Sequence, residues 1–153
     1  MERLHTSEIR YINEKVRIKS NSHEYDGHGI EISQNKLKSL INMTPTENVI
    51  DTATYYLKNL ILLQIFPDGN HRTAFSCTKY FLHKNNIEIQ WDITLDDFHI
   101  NIYKLRSKIY NTYEELNVSI LTESHNELYK YIKKYIIDHC VNNTAGESPN
   151  LLR

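Results

Sequence analysis

Residues 64–72 read QIFPDGNHR and interrupt an apolar helical pattern that resumes directly after them. Before this stretch, apolar side chains from Val49 to Gln64 recur at steps of three and four residues, as on the buried face of a helix. After it, the same spacing returns between Asn70 and Leu82. The stretch therefore predicts two packed helices joined by a tight polar loop, and we expect this pair to form the centre of the fold.

The composition of the chain also favours helices. Only four of its 153 residues are glycine and three are proline, so few positions favour tight turns. Four further helical stretches are expected, at residues 6–19, 33–41, 94–109 and 124–136. One alternating, strand-like stretch is expected at residues 87–91. We expect a mainly α protein with one domain over residues 1–141 and a flexible tail over residues 142–153.

Capping residues predict where three of the helices begin. Thr6 is expected to cap the first helix, and Ser124 with Glu127 to open the last one. The sequence Thr44-Pro45-Thr46-Glu47 combines an N-cap threonine, a proline at the first helical position and a glutamate that completes a capping box. We therefore expect Thr44 to cap the long apolar helix.

Composition and charge exclude several classes of protein. Hydrophobic residues make up 40% and charged residues 24% of the chain, as in a globular protein and unlike a disordered or membrane protein. No apolar run approaches the roughly 18 residues of a spanning helix, and the first residues lack the apolar stretch of a secretion signal. A cytoplasmic location without membrane contact is therefore expected. A net charge of −1 gives no case for direct nucleic-acid binding.

The loop itself contains the residues of an anion site. A loop that ends at a helix N-terminus presents free backbone N–H groups and the positive end of the helix dipole, which favour phosphate. Gly69 allows close approach of that backbone, and Arg72 is placed for a bidentate phosphate contact. The carboxylate of Asp68 would repel a bound anion, and Mg²⁺ between the two would remove this repulsion. The alternative is a simple turn, with Asp68 and Asn70 bonded to the backbone and Arg72 at the surface.

The same stretch resembles the active-site motif of the Fic/Doc (Fido) family, usually H-P-F-x-[DE]-G-N-G-R-x-x-R, or H-P-F-x-x-A-N-K-R in the Doc branch. The residues that match in register are Phe66, Asp68, Gly69, Asn70 and Arg72. The flanking helices and the length also resemble the compact, Doc-like form of the Fic core over residues 4–140. The resemblance implies a Fic/Doc-type helical bundle with a short β-hairpin flap. It also implies binding of ATP with Mg²⁺ and transfer of AMP (AMPylation), or in the Doc branch of phosphate, to a hydroxyl of a target protein.

Roles for the loop residues follow from the resemblance by position. Asp68 would hold Mg²⁺, and Gly69, Asn70 and His71 would bind the nucleotide phosphates. Arg72 would contact the phosphates and take part in catalysis. Gln64 stands at the position of the family's catalytic histidine.

The resemblance also implies partners. Tyr25, Gly29, Ile30 and Ile32 belong to the expected flap, whose edge would align the extended target chain by strand addition. Membership of a toxin–antitoxin or related bacterial system is implied, and inhibition would come from a separate antitoxin chain.

Three positions depart from the family pattern. Gln64 replaces the histidine that serves as general base, and an amide cannot take the proton of a target hydroxyl near neutral pH. His71 stands where the family has glycine or lysine, and Phe75 replaces the final arginine. These changes at His71 and Phe75 are closer to the Doc branch than to the AMP-transferring branch.

Three explanations of Gln64 remain open on the sequence alone. In the first, transfer is lost or slowed by the ~10²–10⁴ that a general base contributes, and the chain is a Fic-fold pseudoenzyme that acts as a nucleotide-regulated binding module. In the second, His71 acts as the base. In the third, Gln64 was introduced deliberately so that a toxic enzyme could be produced.

Overall fold

The computed structural model describes residues 1–19, 34–91, 96–112 and 118–142. In chain order its elements are α1 (Thr6–Lys19), α2 (Gln34–Asn42), α3 (Val49–Leu63), α4 (Asn70–Lys84), β1 (Ile87–Ile89), α5 (Asp96–Thr112), a 3₁₀ helix (Val118–Thr122), α6 (Glu127–His139) and β2 (Cys140–Asn142). The predicted mainly α architecture is confirmed. The expected flap residues Tyr25, Gly29, Ile30 and Ile32 lie outside the described residues, as do residues 143–153 of the expected tail.

Helix α3 lies at the centre of the core. Every residue from Thr52 to Leu63 is buried, including polar ones such as Asn59. Helices α4 and α6 pack against α3, and α1 packs against α4. A helix that is buried on all sides needs partners on several sides, and α2 and the 3₁₀ helix also contact α3. The centre predicted from the apolar spacing is therefore confirmed.

The start of α3 differs from the prediction. The helix begins at Val49, and its N-cap is Asn48, whose side chain accepts a hydrogen bond from the N–H of Asp51 at 3.0 Å. Thr44 lies before the helix, and its hydroxyl donates to the carbonyl of Leu40 at 2.9 Å near the end of α2. The predicted capping box is therefore wrong, because asparagine caps a helix at least as well as threonine and Asn48 stands next to the apolar run.

The caps of α1 and α6 differ from the predicted ones by one and two residues, respectively. Thr6 is already the first residue of α1, and the carboxylate of Glu8 accepts from the N–H of His5 at 2.8 Å. Asn126, and not Ser124, caps α6, since its side chain accepts from the N–H of Tyr129 at 2.7 Å. In both helices the sequence predicts the start to within two residues but assigns the wrong residue as the cap.

Strands β1 and β2 form a two-stranded antiparallel sheet. Ile87 lies opposite Asn142, and Ile89 lies opposite Cys140. The strand predicted at residues 87–91 is confirmed in shorter form, whereas Asn142, which was assigned to the tail, pairs with it. None of the helices in the described part of the chain is long and apolar enough to cross a membrane.

Lys58 joins α3 to the 3₁₀ helix. Its side chain is fully buried, and Nζ donates to the carbonyls of Ile120 (2.9 Å), Leu121 (3.3 Å) and Glu123 (2.7 Å). Burial lowers the pKa of Lys58 to about 8, and the nearby charge of Glu123 opposes this shift. The ammonium form therefore dominates at neutral pH and satisfies carbonyls that end the 3₁₀ helix.

We expect Lys58→Met to lower the free energy of unfolding by about 3 kcal/mol, because buried carbonyl groups lose their donor. Urea unfolding followed by circular dichroism measures the effect. Lys134→Met is the control, since Lys134 is exposed and pairs only with exposed Asp138 on the same helix. Equal urea midpoints for the two variants would contradict the structural role of Lys58.

Candidate functional site

Two residues in the left-handed region turn the chain between α3 and α4. Gln64 ends α3 with φ 47° and ψ 55°, and Gly69 precedes α4 with φ 72° and ψ 19°. Between them, Ile65 and Phe66 are buried in the core and anchor the loop. The polar residues of the loop are therefore held at the surface of the α3–α4 pair.

The side chain of Asn70 holds the loop closed. Its Oδ1 accepts from the N–H of Phe66 at 2.9 Å, and its Nδ2 donates to the Phe66 carbonyl at 2.8 Å. The same Nδ2 lies 3.3 Å from Oε1 of Gln64. Because the amide group of Asn70 is used inside the loop, the backbone N–H is the group that this residue can offer to a ligand. The predicted role of Asn70 in phosphate binding is thereby limited to its backbone.

Helix α1 supports the loop from the other side. Nδ2 of buried Asn13 donates to the Asp68 carbonyl at 3.0 Å and to the Thr73 hydroxyl at 3.0 Å. A Cβ added to Gly69 would lie 3.4 Å from Cγ of buried Arg17 and 3.4 Å from Cγ1 of Val16. Sequence analysis missed Asn13 and Arg17, although both are polar residues within the otherwise apolar stripe of α1.

The N-terminus of α4 has no side-chain cap. Its N-cap is Gly69, whereas α3 and α6 are capped by asparagines. The bond from the Thr73 N–H to the Gly69 carbonyl, at 2.9 Å, closes the first turn. The N–H groups of Asn70, His71 and Arg72 precede this bond and have no carbonyl partner within the helix. They are therefore the donors that an anion at this end of α4 would meet.

The structure brings the predicted loop residues to one cavity. Gln64, Asp68 and Arg72 line an open depression of ≈ 300 Å³, together with Pro67, Gly69, Asn70 and His71. Asp68 and Gln64 are half-buried, and Arg72 is exposed. Within the described ranges, no group of three or more His, Cys, Asp or Glu side chains is arranged to hold a metal. Asp68 is the carboxylate among the residues that line this cavity, so a cation bound there would be bound by Asp68.

His71 is paired with a residue of another helix. Nη1 of Arg106, on α5, lies 3.0 Å from Nε2 of His71, and the His99 ring lies parallel to the His71 ring at 6.2 Å between centroids. Burial, with the charges of Arg106 and His99, lowers the pKa of His71. Sequence analysis missed Arg106, because no local pattern links α5 to the loop.

Comparison of the chain with protein-family models, curated proteins and solved structures finds no match. The loop between α3 and α4 and the side chains around it are therefore the features that bear on function.

We expect Asn70→Ala to lower the free energy of unfolding by about 2 kcal/mol, because it leaves the buried backbone of Phe66 without partners. Thermal or urea unfolding measures the loss. Asn35→Ala, at an exposed position of α2, serves as the control and should stay within about 0.5 kcal/mol of the wild type. An Asn70→Ala protein as stable as the control would show that the loop does not depend on this side chain.

Proposed function

We propose that the chain is a Fic/Doc-like protein that binds ATP with Mg²⁺ at residues 64–72 and transfers AMP, or phosphate, to a hydroxyl of a target protein. The observation that carries the proposal is that Gln64, Asp68 and Arg72, three positions of the motif, line one cavity at the uncapped N-terminus of α4. A simple surface turn would not need its carboxylate, guanidinium and helix N–H groups to meet at one depression.

The chemistry of the cavity suits a magnesium polyphosphate. Mg²⁺ is commonly held by one or two carboxylates, substrate phosphates and water, and Asp68 is the carboxylate in this wall. The volume of ≈ 300 Å³ is at the lower end of the range of small-molecule sites, about 300–1,000 Å³. The cavity therefore fits the phosphate part of a nucleotide, with the nucleoside extending beyond it.

The roles of the protein groups follow from their charges. The N–H groups at the start of α4 and the Arg72 guanidinium would bind phosphate oxygens and stabilise the charge that develops during transfer. In AMP transfer, the target oxygen attacks the α-phosphorus, pyrophosphate leaves, and the hydroxyl proton needs a base. Gln64 supplies no base, so this proton passes to water and the reaction is slow.

One observation favours a second candidate function, a pseudoenzyme that binds nucleotide and acts through protein association. Both ends of the Gln64 amide are bonded inside the protein: Nε2 donates to the Ile61 carbonyl at 2.8 Å, and Oε1 faces Nδ2 of Asn70. The side chain at the catalytic position thus has a structural role in the loop. A binding module would retain the phosphate site without any need for proton transfer.

Isothermal titration with ATP and Mg²⁺ tests the nucleotide site. We expect binding that depends on Mg²⁺ in the wild type, loss of the Mg²⁺ dependence in Asp68→Ala, and about tenfold weaker binding in Arg72→Ala, because a charge-assisted bond is lost. Lys79→Ala is the matched control, since it removes a positive charge from the exposed face of the same helix. Absence of binding heat with wild-type protein would overturn the proposal.

Gln64→His tests the transfer step. Histidine is among the residues that tolerate the left-handed region, so position 64 can accept it without losing the turn. With ATP labelled at the α- or the γ-phosphate and a bacterial lysate, we expect label on a target protein to rise by about 10²–10⁴ over the wild type. The position of the label distinguishes AMP from phosphate transfer.

The double variant Gln64→His with Asp68→Ala is the control and should return labelling to background. If Gln64→His binds ATP with Mg²⁺ but labels nothing, the pseudoenzyme becomes the better description of the protein.

A further inference from the structure

The contact with Arg106 decides which nitrogen of His71 carries the proton. A guanidinium has only donors and stays protonated in proteins. Because Nη1 of Arg106 lies 3.0 Å from Nε2 of His71, this nitrogen must be the acceptor. In the neutral ring the single proton is therefore on Nδ1.

The surroundings keep the ring neutral. The side chain is half-buried, and α5 places both Arg106 and His99 beside it. Arg72 on α4 and Asp68 in the loop line the same cavity as His71. An imidazolium would direct an N–H group of its own at the guanidinium, so protonation of His71 would break the bond to Arg106.

The remaining nitrogen is available to a ligand. Within the described part of the chain, Nδ1 of His71 makes no hydrogen bond, and it is not among the buried atoms that lack one. His71 is one of the residues that line the cavity, at the first turn of α4. A protonated Nδ1 at this place adds a side-chain donor to the backbone N–H groups of the helix.

We propose that Arg106 is a positioning residue that holds His71 in the Nδ1–H tautomer, so that His71 donates a hydrogen bond to a phosphate oxygen and does not act as a general base. The ligand in this inference rests on the proposed function, whereas the tautomer does not. Arg106 thereby joins α5 to a site whose sequence motif lies in the α3–α4 loop and the first turn of α4.

Long-range ¹H–¹⁵N correlation spectra of protein labelled at histidine test the tautomer without nucleotide. His71→Asn identifies the signals of His71. At pH 7.5 we expect a protonated Nδ1 and an unprotonated Nε2 in the wild type. We expect a change toward the Nε2–H form in Arg106→Met, and return of the Nδ1–H form in Arg106→Gln, whose amide also donates. His99→Gln is the control and should leave the tautomer of His71 unchanged.

A wild-type spectrum with His71 as the Nε2–H form or as imidazolium would overturn the inference, even if Arg106→Met fails to fold. Addition of ATP with Mg²⁺ should then shift the Nδ1 signal of the wild type, and His71→Phe should bind this nucleotide about tenfold more weakly. If the nucleotide binds without either effect, His71 is not a ligand. If no nucleotide binds while the tautomer is as expected, the proposed function fails and the positioning by Arg106 stands.

Discussion

The two hydrogen bonds between the side chain of Asn70 and the backbone of Phe66 are the constraint on which the rest of the site depends. Phe66 is buried between two helices, so its N–H and carbonyl groups cannot turn to water and need partners within the protein. Asn70 supplies both from the first turn of α4. The same contact therefore closes the loop, fixes the start of α4 against the end of α3, and leaves the backbone donors of α4 directed outward.

Around this closed loop, the fold adds groups from distant parts of the chain. Helix α1 contributes Asn13 and Arg17 beneath Gly69, and α5 contributes Arg106 beside His71. Lys36 of α2 donates to the carbonyl of Leu63 at 3.1 Å, at the end of α3. Although the whole chain carries a net charge of −1, basic side chains thus surround one short loop. This local distribution suits an anion better than the overall charge suggests.

Sequence reasoning predicts this fold where the signal is periodic and local. The apolar spacing of α3 and the break at residues 64–72 identify the core helix and the loop, because apolar residues that recur at steps of three and four are typical of a packed helix. It fails at the helix starts, where Asn48 and Asn126, and not the nearby threonine and serine residues, accept from the first N–H groups of the helix. It cannot predict Arg106 beside His71 or Asn142 beside Ile87, since these contacts join segments far apart in the chain.

The side-chain and backbone groups that hold the loop closed differ from the side chains to which the proposed function assigns chemistry. Asn70 and Phe66 hold the turn together, and Gln64, to which the proposal assigns the proton-transfer position, adds a bond to the Ile61 carbonyl at 2.8 Å and a longer contact to Asn70 at 3.3 Å. An exchange of the side chain at position 64, within the limits of a left-handed backbone, therefore costs the bonds of Gln64 but leaves both Asn70–Phe66 bonds in place. Under the proposed function, catalysts and silent binders would differ by one residue and share the same scaffold, so a comparison of backbones would not tell them apart.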